Sequence, residues 1–210
     1  DCHQKKKQPP PARREVPRRE REQEKERYHN EIIGYHGSEE GLETLLGYQL
    51  FSIGNRADSA ALVYQVDYVL DGYVKKAGTN FVLSVGRLIG SQPELKGEQR
   101  LRKEDIYWEM PRCYQWDITV NLPEGYRISP EGLERLNVKV ENDCGAFIVQ
   151  ATTEDGTLRI KAEKRINHKT EPVANWEKLL EITDAANSYE ALSIVFQATI
   201  NPPTSPTTGY

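Results

Sequence analysis

Strict alternation runs through Leu62-Val63-Tyr64-Gln65-Val66-Asp67-Tyr68-Val69-Leu70. Leu62, Tyr64, Val66, Tyr68 and Leu70 share one face, and Val63, Gln65, Asp67 and Val69 share the other. A helix would scatter both sets, so the period of two predicts a strand. The same reading predicts strands over 46–53, 73–77, 80–85, 104–109, 114–121, 136–141, 146–153, 157–166 and 193–200. In 114–121, Tyr114, Trp116, Ile118 and Val120 face one way. In 157–166, Leu158, Ile160, Ala162 and Ile166 alternate with Arg159, Lys161, Glu163 and Arg165. One packed and one wet face is the mark of an antiparallel sheet rather than a βαβ crossover.

Breaks fall at Asp71-Gly72, Gly78, Pro123-Glu124-Gly125, Ser129-Pro130-Glu131-Gly132, Asn142-Asp143-Cys144-Gly145 and Asp155-Gly156. The last, between two alternating runs, is a hairpin signal. Helical spacing appears late, where Trp176, Leu179, Leu180, Thr183 and Ala186 recur behind Pro172, which predicts a helix over about 173–189. The fold class is therefore mainly β: an antiparallel β-sandwich over 41–200, with a division near 104 and one C-terminal α-helix. The Pro/Thr-rich tail 201–210 is expected to be disordered.

Charge separates the first segment from this body. The 210 residues carry a formal net charge of -4, yet residues 1–27 hold ten Lys/Arg against six Asp/Glu. That segment has three apolar residues, Cys2, Ala12 and Val16, beside a Pro9-Pro10-Pro11 run. It cannot bury enough surface to offset its ordering entropy. Opposite charges four apart (Glu15/Arg19, Arg18/Glu22) and three apart (Glu22/Lys25, Glu24/Arg27) suit a solvated helix from about Arg14 to Ile33. Residues 1–40 thus read as a charged helix/linker. The interspersed glutamates would cancel the field that phosphates feel, and no aromatic precedes Tyr28, so a nucleic-acid arm is not expected. No apolar run is long enough for a helical membrane span. With Met110 its single methionine, the chain reads as a processed protein or a fragment.

Motif chemistry is sparse. GxxxxGK[ST], GxGxxG and GxSxG do not occur. His3, His29, His36 and His168 never combine with Cys2, Cys113 and Cys144 at a zinc spacing, so neither metal nor cofactor is expected. A Cys-His dyad of Cys113 or Cys144 with His168 is not favoured, because Cys113 begins a strand and Cys144 lies in a tight turn, and neither opens a helix that would stabilise a thiolate. Two readings of these cysteines stand: half-buried thiols, or a Cys113–Cys144 disulfide between neighbouring strands. Asp105/Glu109 and Glu154/Asp155 read as exposed charge rather than acid/base pairs. Trp108 and Trp116 are candidates for stacking a sugar ring or a partner surface. Arg100 and Arg102, two apart, are candidates for clamping a carboxylate.

Several segments, taken in order, carry a family resemblance: DGYVKKAGTNFVLSVGRLIG from Asp71 to Gly90, Arg100-Leu101-Arg102, LPEGY at 122–126, VENDCGAF at 140–147, and the Trp176 helix followed by SIVFQ. Together they resemble the C-terminal, non-catalytic β-sandwich region, a domain of unknown function, of large transglutaminase-like proteins from Gram-negative bacteria. The resemblance covers roughly 30–200. In such proteins a papain-like core with a Cys-His-Asp triad precedes this region. The resemblance implies a periplasmic or cell-surface location and a core lying before residue 1. No position here matches the triad, so no catalytic residue is carried over and this chain is not expected to be an enzyme by itself.

The expected function is an accessory or interaction module of a thiol-dependent amide-bond protein. Its partner would be the preceding catalytic domain of the same polypeptide, or another protein. The alternative is a glycan- or peptide-binding sandwich using Trp108, Trp116, Arg100 and Arg102. Exposed rings flanked by the arginines would favour the alternative, and buried rings with a flat polar surface would favour the module.

Overall fold

In the computed structural model the described residues are 26, 27, 30, 42–55 and 60–199. Of the charged segment, Glu26, Arg27 and Asn30 are helical and exposed. The rest of the expected linker, His3, His29, His36, Cys2 and the tail 201–210 lie outside the described residues. The chain divides into two compact units, 1–71 and 72–210.

The first unit contains an antiparallel ribbon of β1 (Leu42–Asn55) and β2 (Ala60–Leu70). The period-two reading holds over the second half of β2, where Val66, Tyr68 and Leu70 are half-buried and Gln65, Asp67 and Val69 are exposed, but fails at Leu62 and Tyr64, which are exposed like Val63 between them. β1 has 14 residues against 11 in β2, and the difference appears as three register shifts on β1. Bulges of this kind bend a strand and increase its twist. Two of them place Leu46 and Phe51 in exposed positions.

The second unit begins with a hairpin of β3 (Val74–Ala77) and β4 (Asn80–Leu83). Asp71-Gly72 therefore separates the units rather than closing a hairpin, because β2 pairs with β1 and β3 with β4. Next come β5 (Ile106–Tyr107), β6 (Arg112–Asn121), β7 (Tyr126–Ile128), the short helix α1 (Pro130–Glu134), β8 (Val138–Asn142), β9 (Gly145–Glu154) and β10 (Thr157–Ile166). The chain ends with β11 (Thr170–Glu171), α2 (Trp176–Glu190, led by a 3-10 turn over Val173–Asn175) and β12 (Ile194–Ala198).

The main sheet has the order β6-β10-β9-β8, all antiparallel. Its central hairpin turns at Asp155 and Gly156, both at positive φ (48° and 71°), the type I′ geometry that Asp-Gly supports. On the inner face Leu158, Ile160 and Ala162 stand beside Phe147, Val149 and Ala151, all buried. Helix α2 lies across β8 and β9 and buries Leu179, Leu180, Ile182, Ala186 and Tyr189. Tyr189 meets Phe147 edge-on at 5.8 Å between centroids. Each large side chain fully buried here contributes roughly 1.5–3 kcal/mol. The outer face is charged, with Arg165 joining Glu163 and Glu141 at 2.9 and 3.3 Å.

A second sheet has the order β3-β4-β12-β7 and buries Leu83, Ile194 and Phe196. The unit is mainly β with antiparallel sheets and a C-terminal helix. Close backbone approach needs glycine at two points. A Cβ on Gly86 would lie 1.9 Å from the Tyr189 carbonyl oxygen, and one on Gly145 would lie 2.0 Å from that of Arg165.

Some local readings are corrected. The 104–109 strand contracts to β5, because Trp108 turns into a small apolar cluster. The break at Ser129 is the start of α1, where the Ser129 hydroxyl accepts the Gly132 N–H at 3.0 Å. β7 and β11 are too short to show alternation.

Candidate functional site

The residues singled out for chemistry gather mainly where α2 begins. Trp176 occupies the first position of that helix, and its indole N–H donates to the Arg100 carbonyl at 2.8 Å. Arg102 lies over the same ring, 5.4 Å from its centroid, in cation–π geometry. Leu95, Glu98, Gln99, Arg102 and Trp176 line an open cleft of about 340 Å³. The Arg100 guanidinium turns the other way, to Asp184 two turns along α2. Its two donors reach the two carboxylate oxygens at 2.8 and 2.7 Å. That bidentate hydrogen bonding holds Asp184 below its ordinary carboxylate range and Arg100 above its own.

Beneath the Trp176 ring is a small apolar cluster of Ile106, Cys144 and Leu179, with Trp108, Ile166 and Trp176 packed on it. β11 carries Glu171 to its rim, where the carboxylate is buried. His168 Nδ1 donates to one oxygen at 2.5 Å, and the Asn175 amide donates to the other at 2.8 Å. The Cys144 thiol lies close enough to Glu171 for the two to act on each other electrostatically. Burial alone would push Glu171 up, but these hydrogen bonds and the imidazole charge bring it below its ordinary range. Cys144 moves the opposite way, raised by burial first and then by the negative Glu171.

Order matters chemically in this cluster. A thiol nucleophile needs an imidazole between it and the carboxylate, so that the base can take its proton. Here the carboxylate lies between thiol and imidazole. It stabilises the protonated thiol and ties β11 to the start of α2.

The four candidate surface residues do not form one site. Arg100 and Arg102 meet Trp176, and Trp108 packs against the same apolar cluster as Trp176. Trp116 lies elsewhere, on β6, stacked with Tyr114 at 6.0 Å and 21°. Trp108 is half-buried, whereas its neighbour Tyr107 is exposed, with Lys169 5.2 Å from its ring centroid. Of the two readings of these cysteines, the Cys113–Cys144 bond is not made: both are free, Cys113 exposed and Cys144 buried. β10 separates the two strands, since Arg165 pairs with Cys113 on one side and with Ala146 on the other. Two interstrand steps of about 4.8 Å exceed the roughly 7 Å Cα separation that a disulfide spans.

Asp105 accepts the Val173 N–H at 2.9 Å and so fixes the turn before α2. Glu154 and Asp155 are exposed at the β9–β10 turn. Among the described residues no group of three His, Cys, Asp or Glu is arranged to hold a metal ion. Nor is any described helix long and apolar enough to cross a membrane. Residues that sequence reasoning missed are Glu171, Asn175 and Asp184. For the first two a signal existed: His168, Glu171 and Asn175 are spaced three and four apart.

These features define a mainly β antiparallel module whose polar groups near α2 are spent on one another. Residues 86–196 match the family described as a domain of unknown function, DUF3858. The chain belongs to that family, and the matched span runs from Gly86 to Phe196 in β12. No curated protein and no solved structure matches the chain.

Proposed function

We propose that this chain is a non-catalytic accessory or interaction module of a transglutaminase-like, thiol-dependent amide-bond protein acting at the periplasm or cell surface of a bacterium. The partner would be the catalytic domain preceding it in the same polypeptide, or one carried by another protein. One observation carries the reading: three of the four groups that would have served a ligand are engaged internally. Arg100 is held by Asp184, Arg102 covers Trp176, and Trp108 packs inward. The outer sheet face is polar, with Gln115 and Arg165 bonded to Glu163, and Arg165 bonded to Glu141. Such a surface suits docking and spacing better than sugar stacking, which needs an open ring face. The family resemblance of the Gly72–Gly90, LPEGY and VENDCGAF segments supplies the enzyme context.

The coding sequence upstream of Asp1 tests this reading. An in-frame domain with a Cys-His-Asp core is expected, and an unrelated domain there would overturn the covalent form of the proposal. A glycan array probed with the chain tests the alternative. Saturable binding that is lost on Trp176→Ala would replace the module reading with a carbohydrate-binding one.

A further inference from the structure

Four strands form the outer edges of the two four-stranded sheets, and three of them are protected. β3 is four residues long and bears Lys75 and Lys76, β7 has three residues, and β8 has five with Lys139 and Glu141. Short length and charge, lysine above all, are the usual means of blunting an edge. β6 is less protected: its charges are Arg112 at one end and Asp117, which lies beside Lys161 of β10. It is ten residues long and runs beside β10 without a register shift. It contains no proline or lysine, and among the described residues it pairs with β10 alone. Tyr114 on this strand is 47% exposed and stacks on the half-buried Trp116. A row of backbone donors and acceptors beside an aromatic stripe is a template for another strand.

We propose that the occupant is β6 of a second copy of this chain, paired antiparallel about a two-fold axis at Trp116. A two-fold axis normal to the sheet keeps inner faces with inner faces, so each residue opposes one of the same parity. The axis must then pass through a residue, and overlap is greatest at the strand's midpoint, at Trp116 or Asp117. An axis at Asp117 would set two carboxylates against each other. An axis at Trp116 opposes Trp116 to its copy, Tyr114 to Ile118 and Arg112 to Val120 on the inner face. On the outer face it opposes Gln115 to Asp117 and Cys113 to Thr119. Gln115 donates one amide hydrogen to Glu163 at 3.0 Å and keeps a second for the Asp117 carboxylate of the other copy. Aromatic and aliphatic cross-strand pairs inside, with a donor facing a carboxylate outside, make the strand self-complementary. This inference is independent of the enzyme context proposed above.

Sedimentation of the full chain, from about 5 to about 200 µM, spans the range expected of a contact this small. The apparent mass should rise from 24.0 kDa toward twice that value. Trp116→Lys, which places two ammonium groups across the axis, should keep the chain monomeric, whereas Trp116→Phe should not. Register is tested without relying on Trp116. In a Cys2→Ser background, Thr119→Cys under mild oxidation should yield a covalent dimer through Cys113. Asp117→Cys in the same background should yield it at least ten-fold more slowly. A chain that stays monomeric across the range overturns the proposal. So does a dimer in which Thr119→Cys cross-links no faster than Asp117→Cys.

Discussion

Arg100 and Asp184, 84 positions apart in sequence, meet through two parallel hydrogen bonds of 2.8 and 2.7 Å. The pair anchors the segment before β5 to the middle of α2, and the Trp176 indole fixes the same segment by its backbone. Because both side chains are partly exposed, their value lies in ordering the segment more than in global stability. Asp184→Asn is therefore expected to raise amide hydrogen exchange over residues 95–102, with little change in Tm. Unchanged exchange there would mean that the indole contact suffices.

Acid should weaken the fold through the buried Glu171. It is held below its ordinary value of 4.5, so the unfolded chain binds more protons in the acid range. The stability it contributes is fully present above that ordinary value and is lost as pH falls through the folded one. Denaturant midpoints should therefore fall as pH drops below about 5. Glu171→Gln should flatten that fall, and an unaltered pH slope in the variant would remove Glu171 from the account.

The two described cysteines should differ sharply in reactivity. Cys113 is exposed, while Cys144 is buried and its thiol is pushed up by burial and by Glu171. Pulse alkylation of the folded chain followed by peptide mass mapping should label Cys113 on the order of 100-fold faster than Cys144. Denaturant should erase the difference. Equal rates in the folded chain would contradict the burial of Cys144.

Tyr189 presents the opposite case of an unsatisfied group. Its hydroxyl is buried with no hydrogen-bond partner among the described residues, and burial pushes its pKa up to about 12. An unpaired buried donor costs free energy that its removal restores. Tyr189→Phe should keep the edge contact with Phe147 and leave stability unchanged or raised by about 1–2 kcal/mol in denaturant unfolding. A loss of stability would point to a bridging water.

How much of this was legible depends on how local each signal was. The β9–β10 hairpin was, because alternation, the Asp155-Gly156 turn and the pairing all sit within one stretch of chain. The α2 pattern was legible from its spaced apolar residues. The insertion of β12 between β4 and β7 was not, since no local pattern encodes a partner more than a hundred residues away. Asp71-Gly72 was legible as a break but not as a boundary between units, because the same dipeptide serves a tight turn and a boundary alike. At the site, Arg100, Arg102 and Trp108 were visible as residue types, but their partners were not. Glu171 in particular reads as an exposed charge until His168 and Asn175 are seen closing on it.

The packing around Gly86 bears on when the fold can complete. The Gly86 N–H donates to the Leu192 carbonyl at 3.0 Å, the Gln92 N–H to Glu190 at 2.5 Å, and the Tyr189 carbonyl leaves no room for a Cβ on Gly86. These contacts join stretches about a hundred residues apart, so their loop-closure entropy must be met before they contribute anything. During synthesis, residues 86–92 must therefore wait for Tyr189 to Leu192 to leave the ribosome. Nascent chains stalled before Leu192 should remain open to protease at this clasp, and full-length chains should close it late in refolding.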